Sequence, residues 1–207
     1  NWSASSWTTR VPLPQDDAYL GNAFSASQTV VSDMPRLCRS VTWTGATGSP
    51  TLAITTTLTF YGSLTMDTGI TISGNQNINP AGRSNYSITS SGVTFGGNTF
   101  NFTPPSGTYT LNDAFSNTSG FFGVVSGSLN TNGMSVTCQK FYGSGSNTRS
   151  ITLGTSIITC TRTSSTPFDN TTTTNLTWSG SSSTIVLTNG TASTITFNGG
   201  GLTYGTL

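Results

Sequence analysis

The sequence predicts an all-β chain wound as a parallel β-helix, and three observations carry that reading. The first is a recurring triplet of apolar, Thr or Ser, and apolar residues. It appears as Val41-Thr42-Trp43, Leu58-Thr59-Phe60, Ile70-Thr71-Ile72, Val93-Thr94-Phe95, Tyr109-Thr110-Leu111, Val136-Thr137-Cys138, Ile151-Thr152-Leu153, Leu176-Thr177-Trp178, Ile195-Thr196-Phe197 and Leu202-Thr203-Tyr204. Successive strand side chains point to opposite faces, so each triplet buries its outer residues and shows the central hydroxyl to water. The second is the punctuation between triplets, clusters such as Gly45-Ala46-Thr47-Gly48-Ser49-Pro50, Gly96-Gly97-Asn98 and Gly143-Ser144-Gly145-Ser146-Asn147, which favour turns. The third is composition. Charged residues are 6% of the 207, with no Glu, no His and one Lys, Lys140, and Thr, Ser, Asn and Gly take the places that helical surfaces give to Glu, Lys and Ala.

The elements follow in order. Residues 1–40 hold Trp2, Trp7, Pro12, Pro14, Asp16, Asp17, Arg36 and Arg39. Large aromatics and prolines suit the lid of a solenoid, whose first coil would otherwise expose apolar interior and unpaired backbone. This segment is read as an N-terminal cap with the first coil, and residues 41–207 as β-solenoid coils. Three short strands per coil give coils of roughly 20–25 residues. The last triplet, Leu202-Thr203-Tyr204, has no comparable lid after it. Its coil is expected to be covered by further chain or by another subunit. The alternative architecture is an antiparallel β-sandwich, but Asn-Gly hairpin signals are few (Asn132-Gly133 and Asn189-Gly190). The alternation makes a sharper expectation: Trp43, Phe60, Phe95, Leu153, Trp178 and Phe197 inside, Thr42, Thr59, Thr94, Thr152, Thr177 and Thr196 outside.

A formal net charge of +1 leaves no basic stripe for nucleic acid or anionic membranes. No apolar run is long enough to insert into a bilayer as a helix. Neither nucleic acid nor membrane insertion is expected. Three cysteines, Cys38, Cys138 and Cys160, are too few for a disulfide-stapled scaffold. Cys138 and Cys160 end comparable apolar segments 22 residues apart and are read as core residues stacked one above the other.

The enzyme reading turns on the six aspartates, Asp16, Asp17, Asp33, Asp67, Asp113 and Asp169, because glycoside hydrolysis normally requires two carboxylates facing one groove. Asp67 and Asp113 are spaced to fall two coils apart on one side, yet both sit in turn-like settings. Asp16-Asp17 has the composition of a calcium site, against a role in bonding backbone amides or arginines within the cap; calcium prefers six to eight oxygens. The threonine arrays suggest an ice-matching lattice, a reading set aside because the triplets show single threonines. No catalytic, cofactor-binding or metal-binding residue is assigned, and no cofactor is expected. Carbohydrate recognition uses exposed aromatics beside amides. In adjacent aromatic pairs one ring of a regular strand points outward, so Tyr61, Phe122 and Tyr142 are the candidates for glycan or subunit contact. The alternative for Phe121-Phe122 is a corner that buries both rings.

The stretches Asn1-Trp2-Ser3, Ser6-Trp7, Val11-Pro12 and Asp16-Asp17 open the chain. Later come Cys38-Arg39-Ser40-Val41-Thr42-Trp43-Thr44-Gly45, Gly127-Ser128-Leu129-Asn130-Thr131-Asn132-Gly133 and Phe197-Asn198-Gly199-Gly200-Gly201-Leu202-Thr203-Tyr204. Together they resemble the β-solenoid domains of phage tail-fibre and virion proteins and of bacterial surface adhesins. The likeness runs over nearly the whole chain, on caps, turns and core positions. It implies a non-enzymatic structural module, located in a virion or at a cell surface. Expected partners are copies of itself, other fibre subunits and a cell-surface glycan. The runner-up functions are a polysaccharide-degrading tailspike and a self-assembling filament subunit.

Overall fold

The computed structural model describes residues 10–21, 28–163, 165–188 and 194–207. Trp2, Trp7 and Asn189-Gly190 lie outside the described residues. The chain climbs one axis in successive coils. The lowest carries β1 (Ala18–Leu20) and β2 (Thr29–Ser32). Above it come β3 (Val41–Trp43), β4 (Thr51–Ile54) and β5 (Leu58–Phe60), then β6 (Leu64–Thr65), β7 (Thr71–Gly74) and β8 (Asn77–Pro80). The middle of the rod holds β9 (Tyr86–Thr89), β10 (Thr99–Phe102), β11 (Thr108–Leu111), β12 (Phe115–Val124), β13 (Gly127–Asn130) and β14 (Val136–Tyr142). The upper coils carry β15 (Arg149–Thr152), β16 (Ile157–Cys160), β17 (Ser165–Asp169), β18 (Leu176–Ser179), β19 (Thr184–Leu187) and β20 (Ile195–Asn198).

Every pairing between these strands is parallel. Hairpins cannot make parallel ladders, so the fold is the predicted parallel β-solenoid and the sandwich is not. One face is a single eight-stranded sheet in the order β1-β3-β6-β9-β11-β13-β15-β18. A second, nine-stranded sheet runs from β5 and β8 through β10, β12 and β14 to β16, β17, β19 and β20, and β2, β4 and β7 form a third. The strands β12 and β14 are long because each turns a corner. In β12 the pairing slips between Asn117 and Phe121, a bulge that bends the strand from one face to the next. Asn117 secures that bend by donating through Nδ2 to Asn98 O (2.7 Å) and Phe121 O (3.1 Å).

The hydrogen bonds that link neighbouring coils in the lower part include Gly45 N to Asp67 across 22 residues and Ser40 N to Asp17 across 23, inside the expected coil length. Higher up the coil swells: Thr172 N reaches Ser144 Oγ across 28 residues and Asn175 Nδ2 reaches Ser146 O across 29.

Alternation fills the interior as predicted. Trp43, Phe60, Phe95 and Leu153 are buried, and none of Thr42, Thr59, Thr94, Thr152, Thr177 and Thr196 is. Trp178 and Phe197 are only partly buried, packed against the edge of the core, because they belong to the uppermost described coil. Leu207 is 73% exposed. Along the second sheet one inward column is aromatic on successive coils, Phe100, Phe122, Phe141, Phe168 and Phe197. Its rings stack at centroid spacings of 6.4, 5.8, 5.2 and 5.0 Å, each pair adding about 0.5–1.5 kcal/mol beyond its burial. Tyr109 crosses the core and anchors its hydroxyl between Gly62 O and Gly82 N, both at 3.0 Å.

Candidate functional site

Outward side chains of the second sheet align in register to form a column. Thr59 pairs with Asn79, Asn101 with Gly123, Gly123 with Tyr142, Tyr142 with Asp169 and Asp169 with Asn198. Asn79 and Asn101 follow the paired Ile78 and Phe100, so the column is unbroken. Tyr142 is outward as predicted. Its ring lies along the rod axis over Gly123, where any Cβ would collide with it, and its hydroxyl donates to Asn101 Oδ1 two rungs below. Lys140, two residues earlier on the same face, places Nζ 5.8 Å from the ring centroid and 2.8 Å from Asp169 Oδ2. Asp169 Oδ1 accepts from Thr171 N (3.1 Å) and Oγ1 (2.8 Å). Burial alone would raise the Asp169 pKa, but the bonds from Lys140 and Thr171 hold it below the ordinary carboxylate value. Burial raises that of Tyr142.

Phe122 is not a surface residue. The bulge between Asn117 and Phe121 resets the alternation, so Phe121 faces out and Phe122 enters the aromatic column. The corner reading, with both rings buried, fails as well, since Phe121 is half-buried and has the Arg162 guanidinium 5.2 Å from its ring. Tyr61 is half-buried just after β5, four rungs below the strand that carries Tyr142 in the second sheet. At a strand spacing of about 4.8 Å the two rings are on the order of 20 Å apart. Tyr142 is thus the member of the predicted trio that sits among polar companions. Sequence reading did not place Asn101, Lys140 or Asp169 beside Tyr142. Only coil length could have located them, and the coils are unequal.

The aspartates hold the rod together. Asp17 takes a bidentate bond from Arg39 and a 3.1 Å bond from Ser40 N; the Arg39 guanidinium, with the Ser40 amide, lowers its pKa to about 2. Asp16 pairs with Arg10 and accepts from Leu13 N, so both acids of the pair bind arginines and backbone amides. Asp67 accepts from Gly45 N one coil below and from Thr68 N, and these amides lower its pKa. Asp113 accepts from Ser90 N, Ser90 Oγ and Ser91 N, while Ser91 Oγ donates to Met66 O. Asp67 and Asp113 therefore flank the Ser90-Ser91 corner, as their spacing suggested, each bonded to the coil beneath. Among the described residues no group of three or more His, Cys, Asp or Glu side chains could hold a metal ion.

Cys138 and Cys160 are register partners in adjacent strands, and all three thiols are buried and free. Burial pushes the Cys38 thiol up to about 12, far from the thiolate that reacts. No protein family matches this chain, and no curated protein or solved structure matches it.

Proposed function

We propose that the chain is a structural module of an extracellular or virion fibre, one that also contributes to attachment at a host-surface glycan. The observation that carries this reading is the unbroken eight-strand parallel ladder of the first sheet. At about 4.8 Å per rung it makes a stiff rod on the order of 35 Å long, with an exterior of Thr, Ser and Asn. Such a rod transmits position along one axis, and neighbouring coils can be added without altering those already present. Its partners are further copies of itself or other fibre subunits.

A polysaccharide-degrading tailspike is the rival from another class. Asp16, Asp17, Asp67, Asp113 and Asp169 of this chain are bonded to its own cations or backbone amides. That argues against a carboxylate pair poised for hydrolysis.

Immunogold electron microscopy tests the proposal. An antibody against the purified chain should decorate fibres on virions or cell surfaces from the source material. Labelling confined to the cell interior, or release of reducing ends from a host surface polysaccharide by the purified chain, would overturn it.

A further inference from the structure

We infer that the outer face around Tyr142 is a stacking platform for a neutral hexose of a surface glycan. This assignment rests on the attachment role proposed above and gives that role a location.

The ring is preorganised. Its strand holds one end, the hydroxyl bond to Asn101 holds the other, and Gly123 admits it against the backbone because no Cβ fills that space. Both χ angles are therefore set before a ligand arrives, which removes an ordering cost of about 0.5–1.5 kcal/mol per side chain. Gly123 covers one face of the ring, so a ligand must lie on the other, beside the Lys140 ammonium that stands 5.8 Å from the centroid. A pyranose presents an apolar C–H face to an aromatic ring and hydroxyls around its edge, so it needs hydrogen-bonding groups beside the ring.

Those groups are present. Asn101 Nδ2 donates to no described residue, so it is available to a sugar hydroxyl, while Asn101 Oδ1 is occupied by Tyr142. Asn79, next below Asn101 in the column, keeps its Oδ1 buried and offers a ligand nothing, so Asn101 is the amide beside the ring. Lys140 and Asp169 at the upper edge neutralise each other at 2.8 Å. The groups in contact with the ring thus carry no net charge, which favours a neutral sugar there, although the Arg162 guanidinium stands one position away over Phe121, the register partner of Lys140.

An oligosaccharide array spanning neutral, sialylated and sulfated sequences, probed with the purified chain, reads the specificity. Titration calorimetry with the strongest hit then compares variants. Binding to hexose-containing neutral glycans is expected. Tyr142→Ala should weaken it at least about tenfold, since aromatic contact and the lost orientation together exceed 1.4 kcal/mol. Asn101→Ala should weaken it severalfold, with the midpoint of thermal unfolding kept as a check on folding. Phe121→Ala, on the neighbouring outward position, should leave affinity unchanged. No array binding, binding restricted to acidic glycans, or affinity unchanged in both Tyr142→Ala and Asn101→Ala would overturn the site. Fibre labelling by the antibody would be untouched by any of these results, so failure of the platform is distinguishable from failure of the fibre reading.

Discussion

Arg149 offers the most demanding test of how the swollen upper coils are held. It is 1% exposed, and its guanidinium donates only to carbonyls: Nε to Gly143 O, Nη1 to Asn147 O and Thr174 O at 2.9 Å each, and Nη2 to Thr172 O. These acceptors belong to two turns, one between β14 and β15 and the other between β17 and β18. Arg149 therefore ties together the corresponding corners of two successive upper coils. Replacing it with Met keeps much of the volume and removes every one of the four bonds. Hydrogen bonds to a charged group contribute about 1.5–3 kcal/mol each. Two effects offset the sum. The buried cation and its desolvation disappear, and Asn147, Thr172 and Thr174 are at exposed positions where their carbonyls regain water. Gly143 is buried and its carbonyl regains nothing. The expected net loss is about 3 kcal/mol, which for a chain of this size lowers the unfolding midpoint by about 6–12 °C. Arg149→Lys should lose nearly as much, because one ammonium cannot span four acceptors set in a fork. Urea titration followed by circular dichroism gives the loss. Hydrogen exchange should show local opening at Gly145 N, which donates to Thr172 O, and at Thr172 N, which donates to Ser144 Oγ. A loss under about 1 kcal/mol, or unchanged exchange at those two amides, would refute the account.

Phe141→Ala should destabilise the fold by about 3–5 kcal/mol, as expected for an aromatic removed from a packed core. Phe121→Ala should cost under about 1 kcal/mol, and chemical denaturation of the two variants checks which ring of each pair is inside. The Asp17 carboxylate has a folded pKa of about 2 against an ordinary 3.8. Its contribution is therefore complete above about pH 4 and is lost as pH falls through 2. Acid titration of stability should show Asp17→Asn losing that segment of the curve, and identical curves would count against the Arg39 pairing. Gly123→Ala should displace the Tyr142 ring and break its bond to Asn101, destabilising the chain by about 1–3 kcal/mol. Adding Tyr142→Ala should recover part of that loss in a double-mutant cycle, whereas simple additivity would show that the two residues do not touch.

How much was legible in the sequence depended on how far apart the deciding residues lay. Alternation is local: the faces of Thr42, Thr59, Thr94, Thr152, Thr177 and Thr196 follow from the two neighbours of each. The parallel coil followed from short triplets set apart by Gly, Ser and Asn clusters, and the stacking of Cys138 on Cys160 from their 22-residue interval. The facing of Phe122 could not be obtained in this way. The corner between Asn117 and Phe121 has four residue steps where its partner strand has two, and it is held by Asn98 on the coil below. It exposes Thr118 and Ser119 side by side, a break in alternation that exchanges inside for outside beyond it. Tyr142 was recognised as outward, but its companions were not. Asn101 lies 41 residues away and Asp169 lies 29 residues from Lys140. In a solenoid the lateral neighbour of a residue is fixed by the length of every turn between them. Those lengths are unequal: register partners lie 20 residues apart at Leu58 and Ile78, 19 at Phe122 and Phe141 and 27 at Phe141 and Phe168. The sequence by itself determined most inner faces and the parallel winding, because these depend on contacts between near neighbours, although Val93-Thr94-Phe95 and Leu202-Thr203-Tyr204 form no strand. The tertiary structure alone decided which outward side chains share a column, because a small phase error in each corner accumulates over the coils and only the packed ladder sums it.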